Sequence, residues 1–400
     1  MRILTLADNF LPHSGGARVY YYNLYRHLAE DWGADVTLLT KKVPGWRAFD
    51  THAQTTHFQI RRRFKPLPTW KYQQMPKAIF PLMEALYLSK ARRIDMIHSG
   101  DLYPPGVIAM FLKRFLGLPY LAYCHGDDVA QTEGMRYQPR VRNRLYLGAA
   151  AIIAANTFAR NKLVSYGIPE DRIHIITPGV DTDIFRPGTP DRELVQRYGL
   201  DGKLVLLTAA RLVPKKNHSL VFRALSQVLS EFPNVRYLVA GTGPEQGALA
   251  KQVAELGLGD VVQFIGDIPH DRLGEIYSLC DIFVMPNRTT ESNDIETFGM
   301  VFVEANAAGK PVIGGRSGGT SEAIVQGTTG LIVDPGDPQE LATALKLLLG
   351  NETLRRNFGA SGLARVRQEF SWESRAGKLH DICVKVIRHH NGLSPAEQRT

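Results

Sequence analysis

The sequence predicts an α/β protein of two domains, each a parallel sheet with helices wound on both faces. Three observations carry this expectation. A chain of 400 residues exceeds what one typical core organises and suits two domains. Along its whole length, short apolar runs ending in glycine-containing turns alternate with segments of helical period. A Pro/Gly-rich stretch, Thr177-Pro-Gly-Val-Asp-Thr-Asp-Ile-Phe-Arg-Pro187, divides the two series. The expected layout is a first domain at residues 1–180, a linker at 181–202 and a second domain at 203–370.

The composition is that of a globular protein, 44% hydrophobic and 22% charged, without a low-complexity tract. Three cysteines, Cys124, Cys280 and Cys383, lie far apart and form no C-x-x-C pair. This argues against a disulfide framework or zinc site and for a reducing, cytoplasmic setting. The first apolar run reaches Asp8 too soon for a signal peptide, and no apolar run approaches the roughly 18 residues that cross a bilayer. The net charge of +9 is uneven. Residues 1–185 hold 24 Lys and Arg against 15 Asp and Glu, whereas 186–400 hold 24 of each. The excess suggests an anionic partner for the first half: nucleic acid, anionic lipid or an acidic substrate.

Residues 3–7 read as the first strand. Gly15-Gly16 follows, then a helix from Ala17 with Tyr20, Leu24 and Leu28 on one face. A glycine pair between strand and helix builds a backbone cradle for an anion, and is equally the chemistry of a tight turn. It is not a P-loop, because G-x-x-x-x-G-K-[ST] does not occur. Residues 36–40 form the second strand. In 60–93, Arg61, Arg62, Arg63 and Lys65 lead into Trp70, Lys71, Tyr72 and Phe80. Cations interleaved with aromatics suit a membrane interface, an anionic acceptor or single-stranded nucleic acid, and also a solvated loop. Strands are expected at 96–98 and 119–124, with a helix at 107–116. The second of these strands ends at His125-Gly126-Asp127-Asp128, and α/β sheets hold ligands at the carboxyl ends of their strands. A strand at 149–155, a helix capped by Asn156-Thr157 and a strand at 173–176 complete this half.

In the second half, a strand at 204–209 leads to Arg211-Leu-Val-Pro-Lys-Lys216-Asn217 and a helix. Fixed cations at such a turn would meet a diphosphate, Arg with a fork of donors and Lys with a point charge, although alone the stretch reads as a solvated basic turn. The strand at 237–240 ends in Gly241-Thr-Gly243-Pro244. A nicotinamide fingerprint needs a third glycine where Gln246 stands. Strands at 261–266 and 282–286 precede the most informative stretch, Glu291 to Gly309. Its loop narrows to Glu296-Thr-Phe298-Gly299, Met300-Val301-Phe-Val-Glu304 starts a helix, and Lys310-Pro-Val-Ile-Gly314 reads as a buried strand. The helix start offers unpaired N–H groups and partial positive charge suited to phosphate. Glu296 and Glu304 stand a little over two helical turns apart, so one acid could reach the sugar end of a ligand while the other holds ribose hydroxyls. Alone, the spacing equally fits an amphipathic helix with a solvated Glu.

Together, Glu296-Thr-Phe-Gly-Met-Val-Phe-Val-Glu304, Ala308-Gly309-Lys310-Pro311-Val312, Gly318-Gly319-Thr-Ser-Glu322 and Gly327-Thr-Thr-Gly330 resemble the E-x7-E region of retaining glycosyltransferases of the sucrose-synthase-like family, family 4. The resemblance implies the GT-B fold: two Rossmann-like domains facing across a cleft, acceptor on the first and sugar nucleotide on the second. A helix at about 371–390 would cross back onto the first. It implies His125 and Glu296 at the transferred sugar, with Gly15 and Gly16 facing donor and acceptor. Arg211 and Lys216 would hold the diphosphate. Gly241, Gly243 and Ile268 would border the nucleotide, Phe298, Gly299, Met300 and Val301 would add backbone donors, and Glu304 would take the ribose. The Pro-Gly-Val-Asp hinge form makes Asp181-Thr-Asp183 structural, and the cation clamp implies that no metal is required.

Ser292-Asn-Asp294-Ile-Glu296 is similar to the loop of GDP-mannose-dependent enzymes that mannosylate phosphatidylinositol lipids. The implied reaction moves mannose from GDP-mannose to a lipid-linked or glycan acceptor at the cytoplasmic face of an anionic membrane. Arg61, Arg62, Arg63, Lys65, Trp70 and Lys71 would lie toward acceptor or membrane. A UDP-sugar-dependent glucosyl or N-acetylglucosaminyl transferase would share these motifs. A nicotinamide oxidoreductase lacks its third glycine. A nucleic-acid partner is not expected, because it leaves the charge-balanced second half and its ordered Gly and Glu motifs unexplained.

Overall fold

The computed structural model describes residues 1–8, 10–12, 16–64, 79–125, 138–292 and 294–392. The chain divides into two compact units, Met1–Gly179 with Trp372–Thr400, and Val180–Ser371.

The first unit holds a seven-stranded parallel sheet of β1 (Arg2–Leu6), β2 (Asp35–Lys41), β3 (Phe58–Phe64), β4 (Met96–Ser99), β5 (Tyr120–Cys124), β6 (Ala151–Ala154) and β7 (Ile173–Ile175), in the order β3-β2-β1-β4-β5-β6-β7. Its register pairs Leu4 with Thr37 on one side and Ile97 on the other. Both faces are buried, so successive residues feed different cores. Ile3, Val36, Met96 and Leu121 join one, while Leu4, Leu39, Ile97 and Tyr120 join the other. The helices α1 (Gly16–Glu30), α2 (Trp46–Ala53), α3 (Ile79–Ala91), α4 (Val107–Leu116), α5 (Gln138–Gly148) and α6 (Thr157–Ser165) cover the faces. Asn156 caps α6 by accepting from the Ala159 N–H at 2.8 Å.

The second unit repeats the plan with β8 (Leu204–Ala209), β9 (Val235–Ala240), β10 (Val262–Gly266), β11 (Ile282–Met285), β12 (Val312–Gly315) and β13 (Gly330–Val333), in the order β10-β9-β8-β11-β12-β13. Its helices are α7 (Arg192–Tyr198), α8 (His218–Val228), α9 (Gln246–Glu255), α10 (Leu273–Leu279), α11 (Met300–Ala307), α12 (Thr320–Ala323), α13 (Pro338–Leu349) and α14 (Glu352–Arg365). The stretch 181–202, which reads in sequence as a linker, contains α7 and buries Phe185, Leu194 and Leu200 in this unit's core. The last helix, α15 (Trp372–His390), belongs to the first unit. Its Trp372, Ala376, Leu379 and Cys383 share a core with Tyr20, Leu24 and Leu28 of α1, and the Trp372 and Tyr20 rings meet edge to face at 5.9 Å.

One expected surface residue is internal. Arg62 stands among the cations assigned to an acceptor or membrane, yet it is buried. β3 alternates, so Phe58, Ile60 and Arg62 point inward while Arg61 and Arg63 stay exposed. The Arg62 guanidinium donates to Asp50 Oδ1 at 2.7 Å and Oδ2 at 3.0 Å, and to the carbonyls of Lys41 at 3.1 Å and Leu11 at 2.5 Å. Every fork of the side chain is satisfied inside the first unit, which removes it from any external partner. Arg62→Ala leaves Asp50 buried and unpaired, an expected loss of about 3–5 kcal/mol. The thermal midpoint of the purified protein should fall sharply, and pairing Arg62→Met with Asp50→Leu should restore most of it. A midpoint unmoved by the single change would refute this role.

Candidate active site

In each sheet the strand order reverses at one place, between β1 and β4 and between β8 and β11. Crevices outside the carboxyl ends of such strands are the ligand positions of open α/β sheets. The loops leaving β8 and β11 carry the clustered charges of the second unit. Lys216 Nζ donates to Glu296 Oε2 at 2.5 Å, with both side chains largely buried. Lys215 Nζ donates to Asp294 Oδ1 at 2.9 Å and to the Ile295 carbonyl at 3.3 Å. The Arg288 N–H returns to the Lys215 carbonyl at 2.8 Å. Asn217, at φ +60°, donates through Nδ2 to the carbonyls of Pro286 and Pro335, both at 2.9 Å. The two loops therefore close into one rigid block. Sequence reasoning singled out Lys216 and Glu296 separately. It passed over Lys215 as an anchor, and Asn217, whose only signal is an Asn suited to a left-handed step before a helix.

The Glu296 loop is held from the other side by glycines. The Gly319 N–H donates to the Glu296 carbonyl at 2.9 Å. A Cβ on Gly318 or Gly319 would run into the backbone of 296–298. Gly299 turns the chain at φ +86°, opening α11. Phe298 is buried beneath this turn. The first N–H groups of α11, at Met300 and Val301, have no acceptor within the helix.

Beside this block lies a cleft of about 500 Å³ within the second unit. Its lining includes Arg211, Gly241, Gly243, Ile268, Val301 and Glu304, six residues that the sequence places on the donor. Gly241 sits at φ +128°, and a Cβ there would strike the Ala210 carbonyl. The bare glycine backbone thus forms part of the cleft floor. Arg211 is exposed, whereas Glu304 is half-buried at the wall. The Tyr277 hydroxyl donates to Glu304 Oε2 at 2.9 Å. Burial pushes the Glu304 carboxyl above its ordinary range, opposed by the Tyr277 hydrogen bond and the charges of His270 and Lys216. Tyr277, a lone aromatic in α10, gave no signal in the sequence. Another cavity, about 340 Å³, borders Arg2 and Asp35 at the amino ends of β1 and β2, the end where this fold does not place ligands.

In the first unit, His125 follows the carboxyl end of β5 and packs edge to face against Tyr20 and Tyr21, with ring centroids at 5.4 and 5.2 Å. The buried Tyr21 hydroxyl donates to the Gly100 carbonyl. It therefore accepts from His125 Nε2 at 2.6 Å, which fixes the Nε2–H tautomer. Gly16 opens α1. Gly15, Lys65, Trp70 and Lys71 lie outside the described residues, as do 126–128. Arg63 stands 3.6 Å from Glu84. Asp181 accepts from the N–H groups of Asp183 at 2.9 Å and Ile184 at 3.3 Å, the work of a turn-capping side chain. Among the described residues no group of three His, Cys, Asp or Glu is placed to hold a metal.

The raised Glu304 carboxyl has a testable consequence for stability. The folded chain holds that proton more tightly than the unfolded chain. Stability from this group is full below the ordinary carboxylate value of 4.5 and declines as pH rises through the folded value. Glu304→Gln stays neutral and still accepts from Tyr277. It should leave the midpoint of the ligand-free protein unchanged near pH 4 and raise it at pH 8. An equal effect at both pH values would rule out this ionisation cost.

Residues 14–184 match the profile of Glycosyltransferase Family 4, and residues 191–365 that of Glycosyl transferases group 1. The GDP-mannose-dependent alpha-(1-6)-phosphatidylinositol monomannoside mannosyltransferase of Mycobacterium tuberculosis is 29% identical over 389 residues, covering 95% of this chain and 97% of its own. The D-inositol 3-phosphate glycosyltransferase of Frankia alni is 30% identical over 414 residues, covering 96% of each chain. Among solved structures, HepE of Anabaena in complex with UDP superposes with a TM-score of 0.77 at 21% identity, covering 96% of this chain and 100% of its own. Sucrose-phosphate synthase from Thermosynechococcus elongatus gives 0.74 at 22%, covering 97% and 99%. With both halves matched and a relative at 30% identity spanning nearly all of both chains, the chain belongs to the family 4 glycosyltransferases, glycosyl transferases group 1, and has the GT-B fold.

Proposed function

We propose that the protein is a retaining mannosyltransferase. It moves mannose from GDP-mannose to an inositol-containing lipid acceptor at a cytoplasmic membrane surface, without a metal. The observation that carries the reading is the second unit's cleft, where Arg211, the glycine turn and Glu304 border one space beside the Lys216–Glu296 pair. In this role Arg211 and Lys216 neutralise the diphosphate as negative charge builds on it in the transition state. The α11 amides and the partial charge of the helix start add to this stabilisation. Glu296 contacts the transferred sugar and Glu304 takes the ribose hydroxyls. His125, with its tautomer set by Tyr21, is the group of the first unit assigned to the sugar. Departure of the diphosphate and entry of the acceptor on the same face of the sugar retain the anomeric configuration. The mannose and lipid assignments rest on the names of relatives aligned over nearly their full length.

A second reading keeps the fold and site but changes the substrates. D-inositol 3-phosphate glycosyltransferases reach 30% and 31% identity, and HepE is solved with UDP. A UDP-sugar donor with a soluble inositol phosphate acceptor would fit those relatives.

Thermal shift with GDP-, UDP- and ADP-sugars and NAD separates the readings, since a ligand of the folded state raises the midpoint by mass action. The expected result is a shift with GDP-mannose and GDP that persists in EDTA. Arg211→Ala and Lys216→Ala should each weaken GDP binding by roughly tenfold to a hundredfold, as charge-assisted hydrogen bonds do. A shift with UDP-sugars alone would favour the second reading. Transfer that EDTA abolishes and magnesium restores would overturn metal independence.

A further inference from the structure

The outer side of the helical layer α3–α4–α5 in the first unit carries a group of large apolar side chains exposed among the described residues. α4 touches both α3 and α5, and the inner sides of all three enter one core through Ala85, Leu88, Leu112, Leu145 and Tyr146. Their outer sides expose Phe80, Met83 and Tyr87 on α3, Phe111 and Phe115 on α4, and Leu147 on α5, each between 43% and 72% exposed. The positions 80, 83 and 87 form a stripe at helical spacing, as do 111 and 115. Phe111 and Phe115 stack with ring centroids 5.8 Å apart and an interplanar angle of 6°. Two large aromatics therefore project side by side into solvent. Large apolar side chains grouped on a surface mark a place of contact.

Among the described residues of these three helices, cations outnumber acids. α4 contributes Lys113 and Arg114, and α5 contributes the exposed Arg140 and Arg144. Neither helix contains an acid. On α3 the acid Glu84 is engaged by Arg63 at 3.6 Å, while Lys90 is exposed. A cleft of about 560 Å³ between α4 and α5 is lined by Phe111 and Phe115 together with Lys113, Arg114 and Arg144. A second copy of the same face would set cation against cation, which opposes association. An anionic lipid surface satisfies both features: aromatics enter the interface and cations meet phosphate. No described helix is long and apolar enough to cross a membrane.

We propose that the outer face of α3, α4 and α5, centred on Phe111, Phe115, Arg114 and Arg144, is a docking surface for anionic lipid bilayers. The proposal deepens the lipid-acceptor reading and moves the main contact from the Arg61–Lys71 run to this layer. Its test is cosedimentation of the full chain with vesicles of phosphatidylcholine, alone and mixed with phosphatidylglycerol, an anionic lipid without inositol. Binding is expected only with the mixed vesicles. Phe111→Ser with Phe115→Ser, and separately Arg114→Glu with Arg144→Glu, should each lower the partition coefficient roughly tenfold or more. Both variants should keep the wild-type midpoint and its nucleotide shift, which shows that they fold. Equal binding by variants and wild type, or equal binding to neutral vesicles, overturns the proposal. So does a concentration-dependent dimer that these variants abolish in a chain that binds no vesicles. Vesicle binding as expected without mannosyl transfer would leave the docking surface standing and defeat the substrate reading alone.

Discussion

The ion pair between Lys216 and Glu296 is the contact on which the second unit's site depends. It joins the loop after β8 to the loop after β11, the two strands between which the sheet changes direction. Parallel strands fan apart at that point, and the loops leaving them would otherwise be independent. With both side chains largely shielded from water, the pair is short and strongly directional. Its neighbours extend the tie. Lys215 binds Asp294, Asn217 reaches Pro286 and Pro335, and Arg288 returns to the Lys215 backbone. In the proposed role a diphosphate would meet cations already fixed in place, so little ordering cost would remain to be met on binding. The same arrangement makes removal of either partner costly, because the other is left charged in a poorly solvated position.

Backbone constraints complete what the ion pair begins. Gly318 and Gly319 lie so close to the Glu296–Phe298 backbone that no side chain fits between them. This is why a glycine pair some twenty residues downstream of Glu296 belongs to the same structural unit. Such pairs are legible in a sequence as punctuation, but the partner they approach is not. The strands were legible for a firmer reason. Parallel strands buried on both faces read as short apolar runs, and the runs of β8 to β12 carried enough Val, Ile, Leu and Phe to stand out, whereas β13 was not read as a strand. Arg211, Lys216 and Glu296 drew notice in the sequence because they lie in loops between a strand and a helix, where the fold leaves backbone donors exposed.

What the sequence concealed has a common physical form: a polar group facing inward. Arg62 sits in a run of three arginines that hides the period-two alternation of β3, and only the position of Asp50 shows that one of them turns into the core. Tyr277 orients Glu304 from a different helix, and Tyr21 orients His125 from α1. These partners are separated in sequence by 27 and 104 positions, so no local pattern connects them. The stretch 181–202 was obscured by its Pro and Gly content. That content does not prevent Phe185, Leu194 and Leu200 from joining the second unit's core.

The internal arginines also change the meaning of the net charge. The excess of the first half counts Arg62, Arg92 and Arg142 as though each faced a partner. Arg62 is consumed by Asp50. Arg92 donates to Thr37 at 3.0 Å and Gln59 at 2.5 Å. Arg142 is buried with its guanidinium 3.5 Å from the Tyr166 ring centroid. A formal sum therefore locates basicity in a half of the chain but not on a face of it. Location follows from which cations the fold leaves in water, and from whether acids stand beside them. By that criterion α4 and α5 are distinctive, since their exposed cations are interleaved with aromatics and neither helix has a carboxylate to neutralise them. Charge that could have been spent on internal pairing remains available there to a surface of opposite sign.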